Sequence, residues 1–291
     1  MNDRLNNMKK KYESVPIPEE LDLVVKRAIK QRKNRRIKLQ SLAGGAAASI
    51  LLFAGVNTSP TFAAAISDVP VLGNLVKVIT ISEYTQKDDS SETNIKTPAI
   101  TNLDNPPLEE ALNSKYAEEN KKLYESFRDE VEELEKTGNA NMSLDSGYEI
   151  ITDTDRLLTL SRYVTTTAAS AAETRTYDTI DKQENIVITL PSLFKDDSYI
   201  QVISDQIKQQ MRQQVQEDQD KIYWIESAED DDVMTPFESI SKDQNFYINA
   251  DGKLVISFNE YDVAPGYMGV VEFVIPTEAL SGILVSHEYI K

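Results

Sequence analysis

Apolar residues recur along this chain at two spacings, and the spacing changes where one kind of element gives way to another. Leu21, Val24, Val25, Ala28 and Ile29 stand at i, i+3, i+4, i+7 and i+8, a single stripe along a helix. That helix has a defined start. Val15, Pro16, Ile17 and Pro18 read as extended chain, because a proline restricts the residue before it. Pro18 then suits a first helical position, and Glu19, Glu20 and Asp22 suit the positive end of the helix dipole. A second helical stripe over 106–136 runs through Leu108, Leu112, Tyr116, Leu123, Phe127, Val131 and Leu134, between Pro106-Pro107 and Gly138-Asn139. A third, with Asp196 or Asp197 as cap, runs through Tyr199, Ile200, Ile203, Ile207, Met211 and Val215.

Elsewhere the alternation has period two. It predicts strands at 93–100, 147–152, 156–166, 174–181, 186–190, 245–248, 253–261 and 270–275. Asp251-Gly252 is a strong hairpin turn. The alanine-rich stretch 167–173 is expected to be a long loop, residues 87–92 a flexible link, and the apolar run 66–82 a packing segment or an interfacial helix. The expected fold class is α+β, an antiparallel sheet with two long amphipathic helices and a separate short helical arm at the N-terminus.

Between Leu39 and Ser67 there is no charged residue, and Arg32, Lys33, Arg35, Arg36 and Lys38 stand just before this stretch. A basic flank on one side of an uncharged stretch is the positive-inside pattern, with the N-terminus in the cytoplasm. The division expected is a cytoplasmic arm over 1–38, a transmembrane signal anchor over 39–66, a juxtamembrane segment and linker over 67–92, and an extracellular domain over 93–291. A cleaved signal peptide is the competing reading, since Ala63 and Ala65 form a small-x-small pair. An arm so short cannot bury its own apolar stripe. It lies on the membrane surface or docks on a cytoplasmic protein, and its acidic start favours the protein.

Charge sharpens the division. The first 40 residues hold twelve Lys/Arg against five Asp/Glu, so with −17 on the whole chain the remainder carries −24. So acidic a domain repels nucleic acid and attracts cationic partners. The chain has no cysteine and one histidine, His287, which excludes disulfides, thiolate metal sites and a cysteine nucleophile. No G-x-S-x-G or phosphate-cradling loop is present. Glu229, Asp230, Asp231 and Asp232 lack the spacing of a calcium loop and read better as solvated acid. Neither a cofactor nor an enzyme activity is expected. One loop stands out: Pro265, Gly266, Tyr267, Met268 and Gly269 place a tyrosine between glycines at a strand end. Its ring either packs back on the sheet or serves as an aromatic anchor for a partner.

Six blocks carry a resemblance: VPIPEELD at 15–22, PVLGNLVKVIT at 70–80, ITDTD at 151–155, TLPSLFKDDSYIQVIS at 189–204, DKIYWIES at 220–227 and KLVISFNEYDVAPGYMGVVEFVIPT at 253–277. In this order, over nearly the full length, they resemble the lysozyme-sensing anti-sigma factors of Gram-positive bacteria, the RsiV (anti-sigma-V factor) family. The resemblance implies a cell-membrane protein whose arm sequesters an extracytoplasmic-function sigma factor without metal. The arm residues concerned are Leu21, Val24, Val25, Ala28 and Ile29. It implies an outer domain that is a receptor for lysozyme, with Ser170, Pro265, Gly266, Tyr267 and Met268 at the contact. Binding would expose the anchor near Ala63 and Ala65 to signal peptidase, and an intramembrane protease would then free sigma. A peptidoglycan-modifying enzyme and a simple lysozyme inhibitor are the competing functions. Deleting residues 1–36 separates them, because only a regulator needs the arm.

Overall fold

β-Branched residues crowd the start of the described chain and set its first element. In the computed structural model, which describes residues 76–88, 90–138, 141–225 and 235–291, strand β1 runs Lys77–Lys87. Val78, Ile79, Thr80 and Ile81 are stiff at χ1 and suit a pleated surface better than a helix. This corrects the expectation of a packing segment or interfacial helix reaching residue 82. The expected flexible link at 87–92 is instead a hairpin turn. β1 pairs antiparallel with β2 (Ser91–Thr101), and the Asp88 N–H donates to the Ser91 carbonyl at 2.8 Å.

Six strands form one sheet in chain order, continuing with β3 (Met142–Asp153), β4 (Leu157–Ala168), β5 (Ser170–Asp181) and β6 (Ile186–Ile188). Every neighbouring pair is antiparallel except β2 with β3, which is parallel. A parallel pair needs a crossover, and helix α1 (Pro106–Glu135) supplies it. Asn105 caps α1 by accepting from the Leu108 N–H. Leu112 and Tyr116 pack with Ile100, Leu158, Leu160 and Ile180, and Phe127 and Val131 pack with Ile95, Met142 and Leu144.

The alanine-rich stretch expected as a long loop is mostly strand. β4 reaches Ala168, β5 begins at Ser170, and Ala169 alone turns the chain, at φ 65°. Alanine is a poor strand former in isolation. Here the ladder to β3, from Ser143 opposite Thr167 onward, holds the hairpin and overrides that preference.

β2 pairs with β3 only from Ser91 to Ile95, so the backbone of Ile100 faces no strand on that side. The fully buried side chain of Asn113 fills the place. Its Oδ1 accepts from the Ile100 N–H at 2.7 Å and its Nδ2 donates to the Ile100 carbonyl at 2.8 Å. An unpaired buried backbone pair would be costly, and one amide side chain satisfies both groups.

Between α1 and the sheet lies a buried charge cluster. Arg162 donates to Asp178 at 3.1 Å and also to Glu119, Lys115 donates to Asp178 at 2.8 Å, and the guanidinium lies 4.6 Å from the centre of the Tyr116 ring. Burial alone would push the Asp178 carboxyl up. Lys115 and Arg162 outweigh it and hold the group at about 2.

The rest of the chain builds a second sheet with its own helix. After a 3-10 turn at Leu190–Leu193 come helix α2 (Ser198–Glu217) and strands β7 (Phe246–Ile248), β8 (Leu254–Phe258) and β9 (Val271–Ile275), antiparallel throughout. Short helix α3 (Thr277–Leu280) follows. Asp196, not Asp197, accepts from the Ser198 N–H at the start of α2. Tyr199, Ile203, Ile207 and Met211 pack against Phe246, Ile256, Phe258 and Phe273 in one core. No described helix is long and apolar enough to cross a membrane. The arm helix, the anchor expected over 39–66 and the acid at 229–232 lie outside the described residues.

Candidate functional site

The loop from β8 to β9 is built from the core outward. Val263 and Ala264 are buried at its base, and the Val263 carbonyl accepts from the Trp224 N–H at 2.8 Å. Pro265 leads into a 3-10 turn at Gly266–Met268, closed by Met268 N–H to Pro265 and Gly269 N–H to Gly266 carbonyls, both at 3.0 Å. Gly269 sits at φ 63°, where a side chain would be strained. At Gly266 the demand is space, since a Cβ there would lie 2.2 Å from the Tyr261 hydroxyl oxygen.

Within this turn the side chains part. Met268 packs against the core, which makes it part of the base of the loop. Tyr267 is 65 % exposed, and its hydroxyl donates to the Asp220 carbonyl at 2.6 Å. The phenol proton is therefore engaged within the domain, and the open ring faces solvent on a tethered side chain.

Ser170 stands exposed at the tip of the β4–β5 hairpin. Side chains from the second sheet hold that hairpin. The Glu173 N–H donates to Glu260 at 3.1 Å, the Arg175 N–H donates to Asn259 Oδ1 at 2.7 Å, and Asn245 Nδ2 donates to the Arg175 carbonyl at 2.8 Å. Glu260 and Asn259 belong to the loop that carries Tyr267, so the hairpin near Ser170 and that loop are joined directly. Beside this junction lies a cleft of about 310 Å³ lined by Ile151, Glu173, Arg175, Tyr177, Tyr247, Val270 and Glu272.

The floor of the cleft is tightly bonded. The Tyr177 and Tyr247 rings stack with centres 5.2 Å apart, and each hydroxyl donates to one oxygen of Glu272 at 3.0 Å. Burial pushes the Tyr177 hydroxyl up to about 12, and the Glu272 carboxylate adds to the rise. Neutral phenols at physiological pH keep these donor bonds in place. Arg175 pairs with Glu173 and Glu149, each at 2.6 Å. Among the described residues no group of His, Asp and Glu could hold a metal ion, and His287 is exposed near the end of the chain.

Sequence periodicity points to neither the Asp220 tether nor the asparagine bonds. A main-chain carbonyl carries no side-chain pattern, and Asn245 and Asn259 fall inside the strands expected at 245–248 and 253–261. The block DKIYWIES is the one trace of the first. Its described residues 220–225 run beside the Tyr267 loop, through the Asp220 carbonyl and the Trp224 N–H.

Comparison with known proteins adds three findings. Residues 191–278 match the family described as "Protein of unknown function (DUF3298)". The chain is 46 % identical over 292 residues to "Anti-sigma-V factor RsiV" of Bacillus subtilis (strain 168), covering 100 % of both chains. Among solved structures it resembles a DUF3298-family member from Bacteroides fragilis NCTC 9343, with a TM-score of 0.52 and 17 % identity, over 72 % of this chain and 94 % of that one. The last likeness concerns the fold alone.

Proposed function

The chain belongs to the anti-sigma-V factor RsiV family, and from that premise we propose that it is a membrane-bound anti-sigma factor whose outer domain is a receptor for lysozyme. An anti-sigma factor has a sigma factor as partner. In this reading the stripe Leu21, Val24, Val25, Ala28 and Ile29 grips it, and residues 39–66 anchor the chain with the arm in the cytoplasm. Lysozyme on the outer domain opens Ala63 and Ala65 to signal peptidase, and an intramembrane protease completes release. No catalytic step belongs to this chain.

One observation carries the receptor half: Tyr267 is 65 % exposed and yet tethered through its hydroxyl to Asp220. An ordered side chain loses little freedom on binding, which is the property of an anchor. Its flat ring can enter a cleft built for sugar rings. The −24 borne by residues 41–291 suits a strongly basic enzyme and speeds encounter.

Tyr267→Ala in the full chain is expected to weaken lysozyme binding by about 2 kcal/mol, roughly thirtyfold, as hot-spot tyrosines do. Folding should survive, because the ring is outside the core. Tyr267→Phe keeps the ring and loses the tether, so a smaller loss is expected. Affinities of the three purified chains at two salt concentrations check this. Equal affinity for Tyr267→Ala and the parent would reduce the loop to plain hairpin structure.

Cleavage has its own test. Signal peptidase needs small side chains at its site. Ala65→Phe is expected to leave repression intact and to block sigma release on lysozyme challenge, read as the fate of the chain on an immunoblot. Normal release in that variant would place the cut elsewhere.

A further inference from the structure

We propose, resting on the receptor reading, that the segment 217–222 is a further part of the docking surface and that Ile222 is a second apolar anchor for the same basic protein. The segment leaves α2 at Glu217 and is held firmly. The Asp218 N–H donates to the Gln214 carbonyl at 2.9 Å, and the Lys221 N–H donates to the Asp218 carbonyl at 3.2 Å. Downstream, Trp224 is tied on both sides, its N–H to Val263 at 2.8 Å and its carbonyl to the Phe237 N–H at 2.7 Å.

The residues following Ile222 turn inward. The Tyr223 ring lies 5.8 Å from Phe273 with its hydroxyl on Gln214, and Trp224 is buried. Ile222 remains 49 % exposed. Two residues before it, the Asp220 carbonyl holds the Tyr267 hydroxyl, so the short exposed segment that carries Ile222 is the one that tethers the anchor. Glu217, Asp218 and Asp220, all exposed, precede Ile222 on the same segment, and against the one cation Lys221, whose ammonium donates to the neutral Gln214 amide, they leave 217–222 with a net charge of −2. An apolar centre with a charged rim is the anatomy of a hot spot, and the sign of the rim selects a cationic partner. A lone exposed aliphatic residue needs no explanation. Val285, 61 % exposed on the segment after α3, is such a residue, whereas Ile222 is joined to the anchor through two residues of backbone.

The experiment uses the full-length chain purified in detergent, with hen egg-white lysozyme as probe. Ile222→Ser is expected to lower affinity about tenfold, and Val285→Ser to leave it unchanged. Ile222→Arg keeps a long apolar stem and adds a repelling charge, so a larger loss is expected, steepest at low salt. The melting temperature is measured on the same samples. Ile222→Arg binding like the parent overturns the proposal, whatever Ile222→Ser does to folding. If Tyr267→Ala weakens binding and both Ile222 variants do not, the receptor reading stands and this extension of it falls. If the parent chain itself does not bind lysozyme, the receptor reading has failed, and this proposal with it.

Discussion

Asp178→Ala is expected to remove about 3 kcal/mol of stability at pH 7, because it leaves Arg162 and Lys115 without their shared carboxylate. Loss of one partner from a buried pair costs about 3–5 kcal/mol, and the lower end applies here. Glu119 still holds Arg162, and Lys115, about a third exposed, can turn toward water. The pH dependence has a definite sign. The folded carboxyl sits at about 2, below its ordinary 3.8, so its contribution is present above pH 4 and is lost as pH falls toward 2. That shift is worth roughly 2 kcal/mol. The gap between parent and variant should therefore narrow over this window. Urea unfolding followed by circular dichroism at pH 7, 4 and 2.5 measures it. A gap of the same size at all three pH values would show that packing, not charge, is what the substitution removes.

Val25→Asp with Ile29→Asp in the arm is expected to switch on the sigma-dependent genes without any inducer. The two positions stand four residues apart in the sequence, on the apolar stripe that helical spacing predicts for the arm. On sigma each new carboxylate would be desolvated without a partner, at a cost of several kcal/mol. The combined loss exceeds what a moderate interface can absorb. Leu21, Val24 and Ala28 share the stripe, so single substitutions there should give partial effects. The measurement is a reporter behind a sigma-dependent promoter, together with an immunoblot for the chain itself. A silent reporter with the variant at its normal level would refute this stripe as the sigma-binding face.

The antiparallel pairing of β7 with β8 is legible in the sequence because alternation and the Asp251-Gly252 turn both act within a few residues. The α+β class is legible for the same reason. What escapes a linear reading depends on partners far along the chain. β1 hides in an apolar run whose extended form is set by pairing with β2. The 170–173 stretch looks like a loop until β3 and β4 support it. The parallel pairing of β2 with β3 exists only because α1 carries the chain across. The candidate site divides likewise. The glycine-flanked tyrosine is conspicuous at 265–269, but the backbone that positions it arrives from Asp220, 47 residues earlier.

The asparagines that bond to the main chain of β5 bear on how this domain survives among other copies of itself. A strand edge with free N–H and carbonyl groups is a template onto which a stray chain can add, and such addition seeds aggregates. On β5 the last three residues are covered by β6, while Asn245, Asn259 and Glu260 occupy the main-chain groups of Glu173 and Arg175. Amide and carboxylate side chains thus occupy three of its main-chain groups without presenting a new strand with an edge of its own. The hairpin that holds up Ser170 thereby offers a passing polypeptide fewer rungs than a bare strand edge would.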